Sequence, residues 1–320
     1  MKQINIYSFH RNIQPHRFDY NNTISLINLL SKNFEITHHN LDGADGFIFY
    51  DVLIDHGSIL IFEDDNTKKF KIYDFGDNPY LTVKLHTHPN FNGAIIGQYN
   101  PYFWNEITPN SELRKKIKAG LYPESVWDLG LNNFDQIQEY RKSIKLDSKL
   151  YWRGSLYNQG VPSNYLGVRK AIELLPSKLN DDKLYFGGSP IPFDNYIAEA
   201  SNFKLVLSIG GGGGAICGDF CFRDLDMFGL GIPIIRPQFI TEVADPIIPN
   251  YHYIAVEAEF DKEFRYTNPE LLTDRIIKRY LEVINNDDYL NQIAVNAREW
   301  YIKNISSLNI TNNLIKLLEL

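Results

Sequence analysis

A chain of 320 residues with 44% hydrophobic and 22% charged side chains is long enough for two globular domains with a core each, and its balance is ordinary for a soluble globular protein. The net charge of −7 and a pI near 5.6 argue against nucleic acid or an anionic membrane as the main partner, although they leave room for a local basic cleft. No 18-residue apolar run exists to cross a bilayer, and the first residues lack the apolar core of a signal peptide, so the expected location is cytoplasmic.

Strands are expected at 4–9, 34–38, 46–50, 59–62 and 69–75, with a short helix at 23–30 that Asn22 can cap. Further strands at 81–85 and 94–96 complete a strand-rich N-terminal half. Helices are expected at 110–119 and 133–144, with a connector at 120–130. A second half opens with a strand at 150–152, a helix at 163–175, a strand at 183–186 and a helix at 193–200. A strand at 205–209, a helix at 219–231 and strands at 232–235 and 253–256 follow. Asn268 caps a helix with Pro269 at its first position, Asp287 or Asp288 caps another, and a last helix covers 311–318. Short strands alternating with helices predict an α/β fold. The expected units are 1–148 and 149–303, with a closing helix in 304–320.

Between the strand at 205–209 and the helix after it lie five consecutive glycines, 210–214. Glycines at such a junction let an anion approach bare backbone amides at the positive end of a helix, and Arg223 in that helix can reach the same anion. This favours a phosphate or pyrophosphate site. The triplet Gly-Lys-Ser/Thr of a Walker loop is absent. Gly210, Gly212 and Ala215 meet the dinucleotide fingerprint, but its acidic residue about 20 positions on is replaced by Ile234, Ile235 and Arg236. An NAD(P)-dependent oxidoreductase is therefore the rival class. Cys217 and Cys221, the only cysteines, have a spacing that suits two small core side chains.

The C-terminal half resembles glycosyltransferase family 90, the Rumi-type protein O-glucosyltransferases and capsule-associated xylosyltransferases. Leu150-Tyr151-Trp152-Arg153-Gly154-Ser155 is similar to the family's aromatic-Arg-Gly-Ser strand end, and Arg169 lies where an arginine follows it. The strand 203–209, Phe222-Arg223 and Gly231 resemble its core, and Pro249, His252, Tyr253 and Val256 its Pro-x-x-His-Tyr-x-x-Val segment. Asn286-Asp287-Asp288 with Ala297 and Trp300 resembles its C-terminal end. The likeness covers about residues 149–310. In the N-terminal half only 71–79 matches, a strand running into a loop where the family keeps its catalytic aspartate, here Asp77.

The resemblance implies a GT-B enzyme of two Rossmann-like domains with C-terminal closing helices. The donor, a nucleotide-sugar and by preference a UDP-sugar, would be bound mainly by the C-terminal domain as a co-substrate, with no permanent cofactor. The acceptor, a glycan, protein or small molecule, would face the N-terminal domain. Without a metal, the departing pyrophosphate needs arginines and helix-terminal amides. Arg153, Gly154, Ser155, Arg169, Gly212, Gly213, Gly214 and Arg223 are the donor-binding candidates. Inversion by direct displacement needs one base, for which Asp77 is the candidate. His86, His88 and Trp104 are acceptor-side candidates, and no third ligand accompanies the histidine pair to make a metal site. Transfer to a modified DNA base is a variant of the same chemistry, which the negative charge disfavours. Arg236 is a further candidate for a phosphate contact, with a surface salt bridge as its alternative, and His252 for a nucleotide contact, with satisfying a buried carbonyl as its alternative.

Overall fold

The structure, a computed structural model, describes residues 2–9, 34–39, 46–50, 70–74, 80–96, 99–120, 130–154, 156, 167–188, 191–209, 221–261 and 266–305. The segments expected at 23–30, 59–62 and 311–318, together with the glycine run, Asp77 and Ser155, lie outside the described residues. The chain divides into two units, one of residues 1–128, 241–246 and 303–320 and the other of residues 129–240 and 247–302. The second unit thus begins twenty residues before the expected start at 149, inside the stretch read as a connector.

The first unit holds β1 (Lys2–Phe9), β2 (Phe34–His39), β3 (Gly46–Tyr50), β4 (Phe70–Asp74), α1 (Tyr80–Leu85), β5 (Phe91–Ile96), α2 (Pro101–Ile107), α3 (Ser111–Lys115) and β6 (Ile117–Ala119). Its strands form one sheet in the order β2-β1-β3-β4-β5-β6. β3 runs antiparallel to both of its neighbours and the other pairs are parallel. The reason is length. A parallel crossover takes a dozen or more residues, and only residues 40–45 separate β2 from β3. A core of Ile72, Leu85, Phe91, Ala94, Ile96, Trp104 and Ile117 lies against this sheet.

Two expectations in this unit are corrected. Residues 81–85 form part of a helix, not a strand. Thr82, Leu85 and His86 are buried, spaced as one helical face and not in alternation. The helix expected over 110–119 stops early. Asn110 caps α3 by accepting from the Glu112 N–H at 3.0 Å, and the chain then turns at Lys116 into β6, which buries Ile117 beside β5.

The second unit contains α4 (Gly130–Ser143), β7 (Asp147–Arg153), α5 (Gly167–Glu173), α6 (Leu175–Lys178), β8 (Leu184–Gly187), α7 (Phe193–Ala200) and β9 (Phe203–Leu207). It continues with α8 (Phe222–Leu230), β10 (Ile234–Pro237), β11 (Ile254–Val256), α9 (Pro269–Val283) and α10 (Asp287–Asn304), whose last two residues belong to the first unit. The sheet order is β11-β10-β9-β7-β8, with every pair parallel. A parallel sheet is covered on both faces, so its strands read as continuous apolar runs. Leu150 and Trp152 of β7, Leu205 and Leu207 of β9 and Ile254 of β11 join Leu272, Ile276 and Tyr280 of α9 in one core. Tyr151 points the other way and packs against Tyr185, Tyr196 and Phe203.

Counted from its own first strand, this unit has the order 2-1-3-4-5. The chain goes out from β7 to β8, then returns across β7 to β9 and continues in the opposite direction. The strand order therefore reverses between β7 and β9. In open α/β sheets ligands bind outside the carboxyl ends of the strands at such a point.

Candidate functional site

Arg153 and Gly154 stand at the carboxyl end of β7, Ser208 and Ile209 at that of β9, and Arg223 in the first turn of α8. The side chain of Arg223 turns back onto the strand end, where its Nη2 donates to the Arg153 carbonyl at 2.5 Å. Its guanidinium lies over the Tyr196 ring, 5.9 Å from the centroid. Burial works against its charge, but Tyr196, Cys221 and Asp224 outweigh that and hold its pKa above the usual arginine value. A guanidinium has five N–H donors, so the contacts described leave it capacity for an anion.

Arg169, on α5, comes from the crossover on the other side of the strand-order reversal. Its pKa is lowered, first by burial and then by the charge of Arg223. Two cations from separate crossovers thus lie within electrostatic reach of each other. Like charges so placed repel unless an anion lies between them.

Arg153 is held differently. Its Nε and Nη2 donate to both carboxylate oxygens of Glu199 at 2.7 and 2.9 Å, and Nη2 also donates to the Tyr185 hydroxyl at 3.1 Å. The guanidinium passes so close to Gly187 that an added Cβ there would lie 2.6 Å from its central carbon. Its carbonyl, rather than its guanidinium, meets Arg223.

Arg236 does not form the surface salt bridge that was one of its expected roles. It is 1% exposed and pairs with the fully buried Asp224, while its guanidinium lies 3.5 Å from the Phe239 ring centroid. Cys221 stands just before α8, and burial pushes its thiol up to about 12, so it stays protonated. His252 accepts from the Ile248 N–H at 2.8 Å and closes a local turn. Of the donor-side candidates the structure thus brings Arg153, Gly154 and Arg223 into contact, and Arg169 lies near enough for the charge of Arg223 to be felt.

The acceptor-side candidates lie in the first unit. His86 is buried, with Nδ1 2.8 Å from the Val83 carbonyl and its ring edge-on to Trp104 at 5.7 Å. His88 accepts from the Asn90 N–H at 3.1 Å in the turn between α1 and β5. Both therefore follow a helix rather than end a strand. Trp104 is fully buried in the core and presents no ring face to solvent.

Four site residues escape a reading by motif. Tyr196 and Glu199 hold the arginines from α7, and nothing local to either marks that role. Ser208 and Asp224 were more accessible, because Asp224 occupies the third position of α8, where a carboxylate reaches back to the amide before the helix. The same aspartate begins Asp224-Leu225-Asp226, the only Asp-x-Asp in the chain. On a helix, residues two apart point to different sides, and Asp224 is already committed to Arg236, Ser208 and the Cys221 N–H. Among the described residues no three His, Cys, Asp or Glu side chains cluster as a metal site would require.

No family model and no curated protein matches the chain. Among solved structures, a glycosyltransferase from Rickettsia africae aligns over 97% of this chain and 83% of its own, with 12% identity and a TM-score of 0.44. The Anabaena protein Alr3699/HepE, solved in complex with UDP-glucose, aligns over 75% of this chain at 12% identity and a TM-score of 0.44, and the chain spans 66% of that protein. An alpha-glucosyltransferase solved with UDP and a 13-mer DNA aligns over 100% of both chains, at 10% identity and a TM-score of 0.45. At scores below 0.5 these likenesses decide neither fold nor activity, which rest on the chain's own residues.

Proposed function

We propose that this protein is a glycosyltransferase of the GT-B type, related to family 90, that transfers a sugar from a UDP-sugar to an acceptor hydroxyl. The observation that carries the reading is the Arg223 guanidinium held against the Arg153 carbonyl at the carboxyl end of β7, beside the strand-order reversal, with Arg169 near enough for its charge to be felt. A nucleoside diphosphate matches that pair, because its two phosphates present the charge that two guanidiniums need. The five glycines lead into the same helix and would bring backbone amides to the phosphates.

In the proposed reaction the acceptor oxygen attacks the anomeric carbon while the bond from that carbon to the phosphate oxygen breaks, with inversion. The acceptor proton passes to Asp77, and UDP leaves with its new negative charge on the β-phosphate. Arg223 and Arg169 stabilise that charge as it forms, which lowers the barrier more than it strengthens binding of the intact donor. Arg153, tied to Glu199, supports the site through the carbonyl that orients Arg223. The four donor-side candidates at 155 and 212–214 complete the phosphate cradle in this reading, and His86 and His88 remain on the acceptor side.

Titration calorimetry with UDP tests the site. Arg223→Ala is expected to weaken UDP by about 1.5–3 kcal/mol, the worth of a charge-assisted hydrogen bond. Unchanged affinity in a folded variant, or binding of NAD(P) without UDP, overturns the assignment. Asp77→Asn separates base from turn residue. As the base, its loss leaves UDP affinity intact and slows transfer by about 10²-fold or more. A lower melting temperature with normal turnover would show a structural role.

A further inference from the structure

Three side chains outside the ligand contacts converge behind the site. Ser208 follows β9, Asp224 lies in the first turn of α8 and Arg236 belongs to β10; all three are at most 1% exposed. The Ser208 hydroxyl donates to Asp224 Oδ1 at 2.6 Å, the Cys221 N–H donates to Oδ2 at 2.8 Å, and Arg236 Nη1 pairs with Oδ2. Arg236 Nε also donates to the Pro237 carbonyl at 3.1 Å. One carboxylate therefore joins the end of β9, the amide that opens α8 and the end of β10.

The placement is specific. Ser208 and Cys221 bracket residues 209–220, the segment that contains the run of five consecutive glycines. Arg223 is the residue before Asp224, so whatever fixes the first turn of α8 also fixes the backbone from which Arg223 reaches the switch point. A carboxylate buried among partners on three elements gives nothing to a ligand directly. Burying a charge pair also carries a desolvation cost that an apolar pair would avoid, so its retention calls for a role beyond packing.

We propose that Asp224 is a positioning residue. With Ser208 and Arg236 it clasps the two ends of the glycine segment and holds the first turn of α8 so that Arg223 is aimed before the donor arrives. The inference rests on the nucleoside-diphosphate reading of the site, which it deepens. A pre-aimed guanidinium loses less freedom on binding than one that must be ordered by the ligand, so the clasp acts through affinity and not through contact.

Ser208→Ala removes one arm and leaves the charge pair, so it is the variant expected to fold. Asp224→Asn with Arg236→Met removes both charges at once and avoids stranding either. Two measurements are made on each. The first is hydrogen exchange at the Cys221 and Asp224 amides in the ligand-free protein, with amides of α9 as an internal control. Exchange about tenfold faster at Cys221 and Asp224, with α9 unchanged, is expected from loss of a local tie. The second is UDP affinity, expected to fall about fivefold in Ser208→Ala, the equivalent of one net hydrogen bond, with a melting temperature near that of the parent. Unchanged exchange at both amides, or full UDP affinity despite faster exchange, overturns the clasp. If the unaltered protein binds no UDP, the donor reading fails, and the exchange result still decides whether Asp224 ties the segment.

Discussion

Gly154 lies where an added Cβ would meet the Trp152 ring at 3.2 Å and Arg223 Nη2 at 3.3 Å, so Arg223 packs over a residue that has no side chain to move it. Such contacts are tight without being prohibitive, and the guanidinium rather than the buried indole is the partner that can give way. Gly154→Ala is therefore expected to weaken UDP binding by about 1 kcal/mol through a displaced hydrogen bond, while the melting temperature changes little. Calorimetric titration and a thermal scan on the same variant check both halves. At this scale the sequence was informative about residue type and not about partners. Arg153, Arg169 and Arg223 are marked by resemblance, yet only the structure distinguishes them. The pairing of Arg153 with Glu199 spans two elements, and so does that of Arg236 with Asp224. No spacing rule reports contacts of that kind.

Elements with a strong local signal are the ones that the sequence made legible. Asn268 and Pro269 announce α9, and the structure shows Asn268 Oδ1 accepting from the Leu271 N–H at 3.0 Å. That cap satisfies one of the orphan amides of the first turn, so Asn268→Ala is expected to destabilise the protein by about 1 kcal/mol and Asn268→Gly by a few tenths. Thermal unfolding of the two variants gives the comparison, and equal losses would show that the hydrogen bond is not what matters. α8 ends as its glycine suggests: Gly231 is left-handed at φ 61°, and the Ile232 N–H reaches the Met227 carbonyl at 2.8 Å. Short elements defeated the same logic. α1 has six residues and β6 three, too few for periodicity to separate helix from strand. The reversed direction of β3 was written in the brevity of residues 40–45, a connection-length signal and not a propensity.

At the scale of the whole molecule, the chain divides into two α/β units, the second with a parallel strand order whose reversal is where open α/β sheets place a binding crevice. On the proposed reading, the residues that enter that crevice decide how the leaving group is stabilised. Glycosyl transfer from a nucleotide-sugar generates a diphosphate whose charge is met either by a divalent cation on carboxylates or by cationic side chains. The chain's one Asp-x-Asp lies next to the site, and it is the feature that a metal-dependent mechanism would need. Asp224 is spent on Ser208, the Cys221 N–H and Arg236, and drawing it out to a metal would break a fully buried ion pair, which costs about 3–5 kcal/mol. On the proposed reading Arg223, held at the switch point with the charge of Arg169 felt beside it, favours a diphosphate there over a further cation. Turnover is therefore expected to persist in EDTA, and added magnesium or manganese is expected to leave UDP affinity unchanged or to reduce it by competing with the arginines for phosphate oxygens. Assays of sugar transfer with and without chelator, beside UDP titrations at graded metal concentration, measure the two effects separately. Loss of turnover on chelation, restored by manganese, would require Asp224 or Asp226 to leave its present surroundings and would reassign the leaving-group role from the arginines to a metal.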